Sequence, residues 1–204
     1  MRGGATPFRV PPRPDAQCEH GEEEVRLRVL QQLPLLFSQP AHCPDARLLA
    51  TLLSLAFAFL RDKAPLIKNA ASATIQQTTA LMFERTERDV RAQLAALDPA
   101  PAATAAPLQI GADSVSVTAA CHAFLQDCVL VAGGLPPQWL RKTVPVPRLL
   151  VADLLDTVLR DHTVLFQAVA QFRSLLTTLV VPLLLRQVPV QQSFPLMLRF
   201  ARMT

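Results

Sequence analysis

The sequence predicts an all-α fold, an antiparallel helical array of the solenoid or bundle kind. Apolar residues recur at helical spacing in nearly every segment, no convincing hairpin is present, and no strand–helix–strand unit can be built. Half of the 204 residues are apolar and only 18% are charged, with a mean hydropathy of +0.27. That composition suits one domain with a sizeable core, and it leaves more apolar surface than a compact monomer buries. Contact with other protein is therefore expected.

Residues 1–21 carry Pro7, Pro11, Pro12 and Pro14 with few large apolar side chains, and are expected to be a disordered leader. Arg2, Arg9 and Arg13 precede the first acid, Asp15, which leaves a targeting segment as the alternative; no apolar core of a signal peptide is present. From Glu22, EEEVRLRVLQQL places Val25, Val29 and Gln32 or Leu33 on one side, with acids in the first turn. This first helix should bend or end near Pro34. After Asp45 the run ARLLATLLSLAFAFLRD is apolar on nearly every side and reads as a helix sandwiched between neighbours. A third helix opens at Pro65 and, if unbroken, runs over 66–94, with Glu84/Arg88 and Glu87/Arg91 at i,i+4 spacing.

Residues 97–113, rich in Pro and Ala, form an expected flexible linker between a first half, 22–96, and a second half, 114–204. The second half opens with a helix capped by Asp113 or Ser114 and ended by Gly133 and Gly134. LPPQWLRKTVPVPR makes a short turn around Trp139, RLLVADLLDTVLRD makes a helix, and FQAVAQFRSLLTTLVVPLLLRQ makes another that Pro182 should kink or break.

No constellation carries chemistry, so the chain is not expected to be an enzyme. Cys18, His20, His42 and Cys43 are zinc-ligand types at spacings that match no common zinc module, so neither metal nor cofactor is expected. Cys121 and Cys128 share a helix face and read as small buried apolar residues in a reducing, cytosolic protein. Asp153, Asp156 and Asp161 near His162 read as a solvated helix face with helix-end charges. No phosphate-binding glycine loop occurs, the apolar runs are too short to span a bilayer, and the net charge of +4 is spread too evenly to bind nucleic acid.

On the third helix Ile67, Ala71, Thr74, Thr78 and Leu81 fall in one stripe, the expected core seam, with Ile75 and Met82 at its margin. Almost opposite lie Asn69, Gln76 and Phe83, seven apart. They are either the second packed side of a middle helix, with Phe83 in the core, or a possible partner surface anchored by Phe83.

Three segments in order resemble a known family: EEEVRLRVLQQLPLLF; KNAASATIQQTTALMFERT at 68–86; and the stretch from PPQWLRKTVPVPR to VVPLLLR at 136–186. Together they resemble the dimerisation-and-cyclophilin-binding (DCB) region of the large Golgi trafficking proteins, nearest the MON-two branch and more distantly the BIG-type Arf exchange factors. The resemblance implies an armadillo-like helical array at the cytosolic face of the Golgi, trans-Golgi network or endosomes. It implies a scaffold for self-association, for Arf-like small GTPases and for Dopey-type scaffold proteins, with membrane association through partners only. It also implies that the chain starts inside the DCB region and lacks the exchange domain, so no exchange activity carries over. The other reading is a helical-repeat adaptor of another solenoid family, such as a transport-receptor-like protein.

Overall fold

The computed structural model describes residues 14–38, 45–96, 108–109, 117–140 and 146–187. Helix α1 spans Pro14–Ser38, α2 Ala46–Phe59, α3 Pro65–Ala96, α4 Val117–Ala132 and α5 Arg148–Asp161. They are followed by α6 (Thr163–Ala168), α7 (Ala170–Leu175), a π-helical segment (Leu176–Val180) and α8 (Val181–Gln187). No strand occurs among the described residues, and the expected all-α array is what forms.

α3 is the axis. It packs against α1, α2, α4, α5 and α6, while α4 joins α2 on one side to α5, α7 and the π segment on the other. Its buried residues are Ile67, Ala71, Thr74, Ile75, Thr78, Thr79, Met82, Phe83, Thr86 and Val90. At roughly 100° per residue they cover about half the helix circumference, twice the width of a simple seam. Four of these ten are threonines, whose small branched side chains let neighbouring helices approach closely.

α1 differs from expectation at its start. It starts at Pro14, upstream of Glu22, with the proline in a first turn where its missing N–H costs nothing. It also runs through Pro34. A proline there deprives the Leu30 carbonyl of its ladder partner, and the hydroxyl of Thr74 on α3 reaches that carbonyl instead, at 3.4 Å. The side that packs is Leu30, Leu33 and Phe37, whereas Val25 is 61% exposed, so the core stripe is displaced from the Val25–Val29 line. α2 is covered on one side only: Leu49, Leu53, Ala56 and Phe57 are buried, and Leu48 and Leu55 remain exposed. Between α2 and α3 the Asp62 carboxylate accepts the Ala64 N–H at 3.0 Å and the Arg26 guanidinium at 2.8 Å, tying α1 to the turn that starts α3.

α4 ends in a Schellman motif. The Leu135 N–H reaches the Leu130 carbonyl at 2.8 Å and the Gly134 N–H the Val131 carbonyl at 3.0 Å, with Gly134 at φ 83°. Most of the linker, 97–107 and 110–113, and the expected Asp113 or Ser114 cap lie outside the described residues. Leu108 within the linker is docked, its backbone paired in parallel with Val169. The long last helix is divided, at Val169 and again by the π segment that precedes Pro182. A π turn widens the helix where the proline ring would otherwise meet the Thr178 carbonyl.

The turn after α4 is held by one buried charge. Asp127, 1% exposed, accepts the backbone N–H groups of Gln138 (2.6 Å), Trp139 (2.9 Å) and Leu140 (2.6 Å). Three donors converging on one carboxylate satisfy amides that a proline-punctuated segment cannot place in a helix. The Trp139 ring then packs edge-on against Phe124 on α4 at 6.3 Å. Asp127→Ala removes the acceptor for three amides, and hydrogen bonds to charged groups are each worth about 1.5–3 kcal/mol. A loss of at least about 3 kcal/mol is expected in urea unfolding followed by Trp139 fluorescence, and an unchanged midpoint would refute this role.

Candidate partner-binding groove

A groove of about 390 Å³ runs between α3 and α5, lined by Gln76, Gln77, Thr79 and Ala80 on one side and by Asp153, Leu154, Thr157, Val158 and His162 on the other. Gln76, Gln77 and Asp153 are exposed at its rim and Leu154 and Val158 are buried at its floor. An apolar floor under a rim of amides, a hydroxyl and a carboxylate suits contact with protein. It offers no nucleophile beside a base, and among the described residues no group of His, Cys, Asp and Glu could hold a metal.

The structure separates the three residues that the sequence aligned. Asn69 and Gln76 are exposed, and Phe83 is fully buried. Its ring packs at 5.6 Å from His162 and 6.4 Å from Phe172, which α5, α6 and α7 bring over the edge of α3. Phe83 is therefore core, and as an exposed partner anchor it is withdrawn. Of the stripe, Gln76 alone lines the groove.

Beneath the groove lies a polar pair that the sequence did not signal. His162 follows α5, is 6% exposed, and its Nδ1 lies 2.7 Å from Oε2 of Glu87 on α3. A carboxylate only accepts, so with Glu87 ionised Nδ1 carries the proton. The other Glu87 oxygen takes Arg91 at 2.6 Å, the expected i,i+4 pair. Burial disfavours the charged form of Glu87, and the hydrogen bonds from His162 and Arg91 outweigh it, so its pKa lies below the ordinary value. The reading of the carboxylates as a solvated face holds for Asp153 and Asp161, both exposed, while Asp156 is half-buried and His162 beside them is buried. Asp161 pairs with Arg160 at 2.7 Å instead.

Cys121 and Cys128 are buried, as expected. Burial pushes the Cys121 thiol up to about 12 and raises Cys128 as well, so both are held as inert thiols. The zinc-type quartet Cys18, His20, His42 and Cys43 falls where side chains lie outside the described residues. Among the described residues no helix is long and apolar enough to cross a membrane.

Comparison with known proteins bears on the same helices. Residues 16–90, which contain α2 and most of α1 and α3, match the family described as the Mon2/Sec7/BIG1-like dimerisation and cyclophilin-binding domain. This stretch is similar to that domain. The chain is 29% identical over 178 residues to "Protein MON2 homolog" of Caenorhabditis briggsae and to "Monensin-resistant homolog 2" of Caenorhabditis elegans, 84% of this chain in each case. It is 31% identical over 172 residues, 82% of the chain, to "Protein MON2 homolog" of Drosophila melanogaster. The matched region is 10% of each of these relatives, so the chain corresponds to a small part of them. No solved structure matches it. The DCB match covers α3 up to Val90 and so includes Gln76, Phe83 and Glu87, while the α5 side of the groove lies in the part aligned to the MON2 relatives alone.

Two measurements follow. Phe83→Ala should lower stability by about 3–5 kcal/mol in chemical denaturation, the range for emptying a buried phenylalanine site, and an unchanged midpoint would put Phe83 outside the core. Because the folded-state pKa of Glu87 is depressed, its contribution is complete above its ordinary value of 4.5 and is lost as pH falls below that through the folded value. Glu87→Gln should therefore flatten the acid limb of the stability–pH curve below about pH 4.5 while lowering stability at neutral pH, and an unaltered acid limb would contradict the assignment.

Proposed function

We propose that this chain is a non-catalytic scaffold module of vesicle trafficking at the cytosolic face of the Golgi, trans-Golgi network or endosomes, where it mediates protein–protein contacts. The observation that carries the reading is the DCB match over 16–90, because that domain is named for dimerisation and for binding another protein. The likeness to MON2 homologues over more than four-fifths of the chain supports it and directs it to trafficking. In this reading the partners are a second copy, an Arf-like small GTPase or a Dopey-type scaffold, and membrane association comes through them. The groove between α3 and α5 is the contact surface: Gln76 and Gln77 offer amides that can bond a partner's backbone, Asp153 adds a charge, and the floor supplies apolar area.

The test is a double substitution, Gln76→Arg with Thr157→Arg, which adds bulk and charge to both walls of the groove. In the full chain expressed as a fluorescent fusion, Golgi recruitment and co-precipitation of partners should fall at least about tenfold, a loss worth about 1.4 kcal/mol of binding. Surface changes of this kind usually move stability by no more than about 0.5 kcal/mol, so the melting temperature should stay nearly constant. Recruitment that persists in a stable double variant would contradict this function for the groove.

A further inference from the structure

Residues 163–175 read TVLFQAVAQFRSL, with neither Gly nor Pro, and yet they do not form one helix. α6 stops at Ala168, Val169 is extended at φ −107° and ψ 121°, and α7 restarts at Ala170. A sharp break in a helix has a local cause: a proline, a glycine, a π-bulge or a group inserted into the ladder. Here the inserted group is the backbone of Leu108. Its N–H donates to the Ala168 carbonyl at 2.9 Å, and its carbonyl accepts the Ala170 N–H at 2.9 Å. In a continuous helix the Ala168 carbonyl would bond the Phe172 N–H, and the Ala170 N–H the Phe166 carbonyl. Leu108 replaces those two bonds with two of its own, while Val169 to Leu165 and Arg173 to Val169 keep helical pairing.

Since the exchange is even in hydrogen bonds, side-chain burial tips it. The Leu108 side chain packs partly buried against the core, and Val169 is itself buried. Val169 is also β-branched, which eases an extended backbone at that position.

We propose that the break at Val169 is an acceptor site for one extended aliphatic residue, filled in this chain by Leu108, and that withdrawal of Leu108 lets 163–175 close into a continuous helix. The site reads a backbone N–H and C=O together with one apolar side chain, so its ligand class is an extended aliphatic peptide. Occupancy is felt elsewhere. An extended residue rises about 3.3 Å and a helical one about 1.5 Å, so closure draws α7 along its axis by about 2 Å. α7 carries Phe172, whose ring packs at 6.4 Å from Phe83, 5.5 Å from His122 and 5.8 Å from Phe166. Withdrawal of Leu108 thus reaches the aromatic cluster under the α3–α5 groove.

The experiment reads the backbone state of Val169 from its carbon chemical shifts in the full chain. Leu108→Pro deletes the donor, and Leu108→Gly keeps both backbone groups but removes the side chain that tips the balance. Val169 should be extended in the parent and helical in both variants, with Trp139 fluorescence unchanged as the check that the rest of the fold is intact. Adding a synthetic peptide of residues 104–112, TAAPLQIGA, to Leu108→Pro should return Val169 to the extended state. Val169 remaining extended in Leu108→Gly would show that the break belongs to 163–175 itself and overturn the proposal. A helical Val169 that saturating peptide leaves unmoved would overturn the acceptor site.

Discussion

Everything in this fold depends on covering α3 around half its circumference. A helix buried over half its circumference, from Thr74 round to Phe83, cannot be satisfied by a single neighbour, so α1 and α2 close one part and α4, α5 and α6 the rest. The seam depends on small residues: Ala71, Thr74 and Thr78 let α1 come close enough for the Thr74 hydroxyl to reach the carbonyl that Pro34 leaves bare. Farther along, Thr86 bonds back to the Met82 carbonyl at 3.0 Å and meets the Cys121 sulfur at 3.2 Å, so α4 also docks through a compact polar contact. Thr74 and Thr86 find partners in this way, whereas the buried hydroxyls of Thr78 and Thr79 have none.

The same constraint defines the groove. Cover of α3 ends between Phe83 and Gln76, close neighbours around the helix circumference with opposite fates. Phe83 is capped by His162 and Phe172, and Gln76 opens onto the space that α5 leaves. Glu87 sits at this edge and ties it to the end of α5 through His162.

What could be read from the sequence was whatever depends on local pattern. Helical period gave the existence of α2, α3, α4 and α5, Gly134 the end of α4, and the burial of Ile67, Ala71, Thr74 and Thr78 followed from one stripe. Tertiary contacts bear on two places that local pattern leaves open: α1 continues past Pro34 to Ser38, with the Thr74 hydroxyl reaching the Leu30 carbonyl, and 163–175 is divided although it holds neither Gly nor Pro, with Leu108 from a distant segment bonded at the break. The Asp127 and Glu87–His162 contacts join residues 11 to 75 positions apart, which no local pattern encodes. For the stripe Asn69, Gln76 and Phe83 the pattern left core and partner surface both open, since period locates a face without saying which neighbour covers its edge; Phe83 takes the core reading, and Asn69 and Gln76 are exposed. The family resemblance rested on ordered segments, and it is in the α1–α3 part that the DCB match falls.

The central claim, that α3 is the element on which the others depend, is tested most directly by native-state amide hydrogen exchange along the whole chain. The account predicts that the slowest amides lie in α3 between Ala71 and Thr86 and exchange only through global unfolding, with α1 and α8 opening at lower free energy. If α3 amides exchange through local openings while those of α1 or α8 report the global value, α3 is not the axis of the fold.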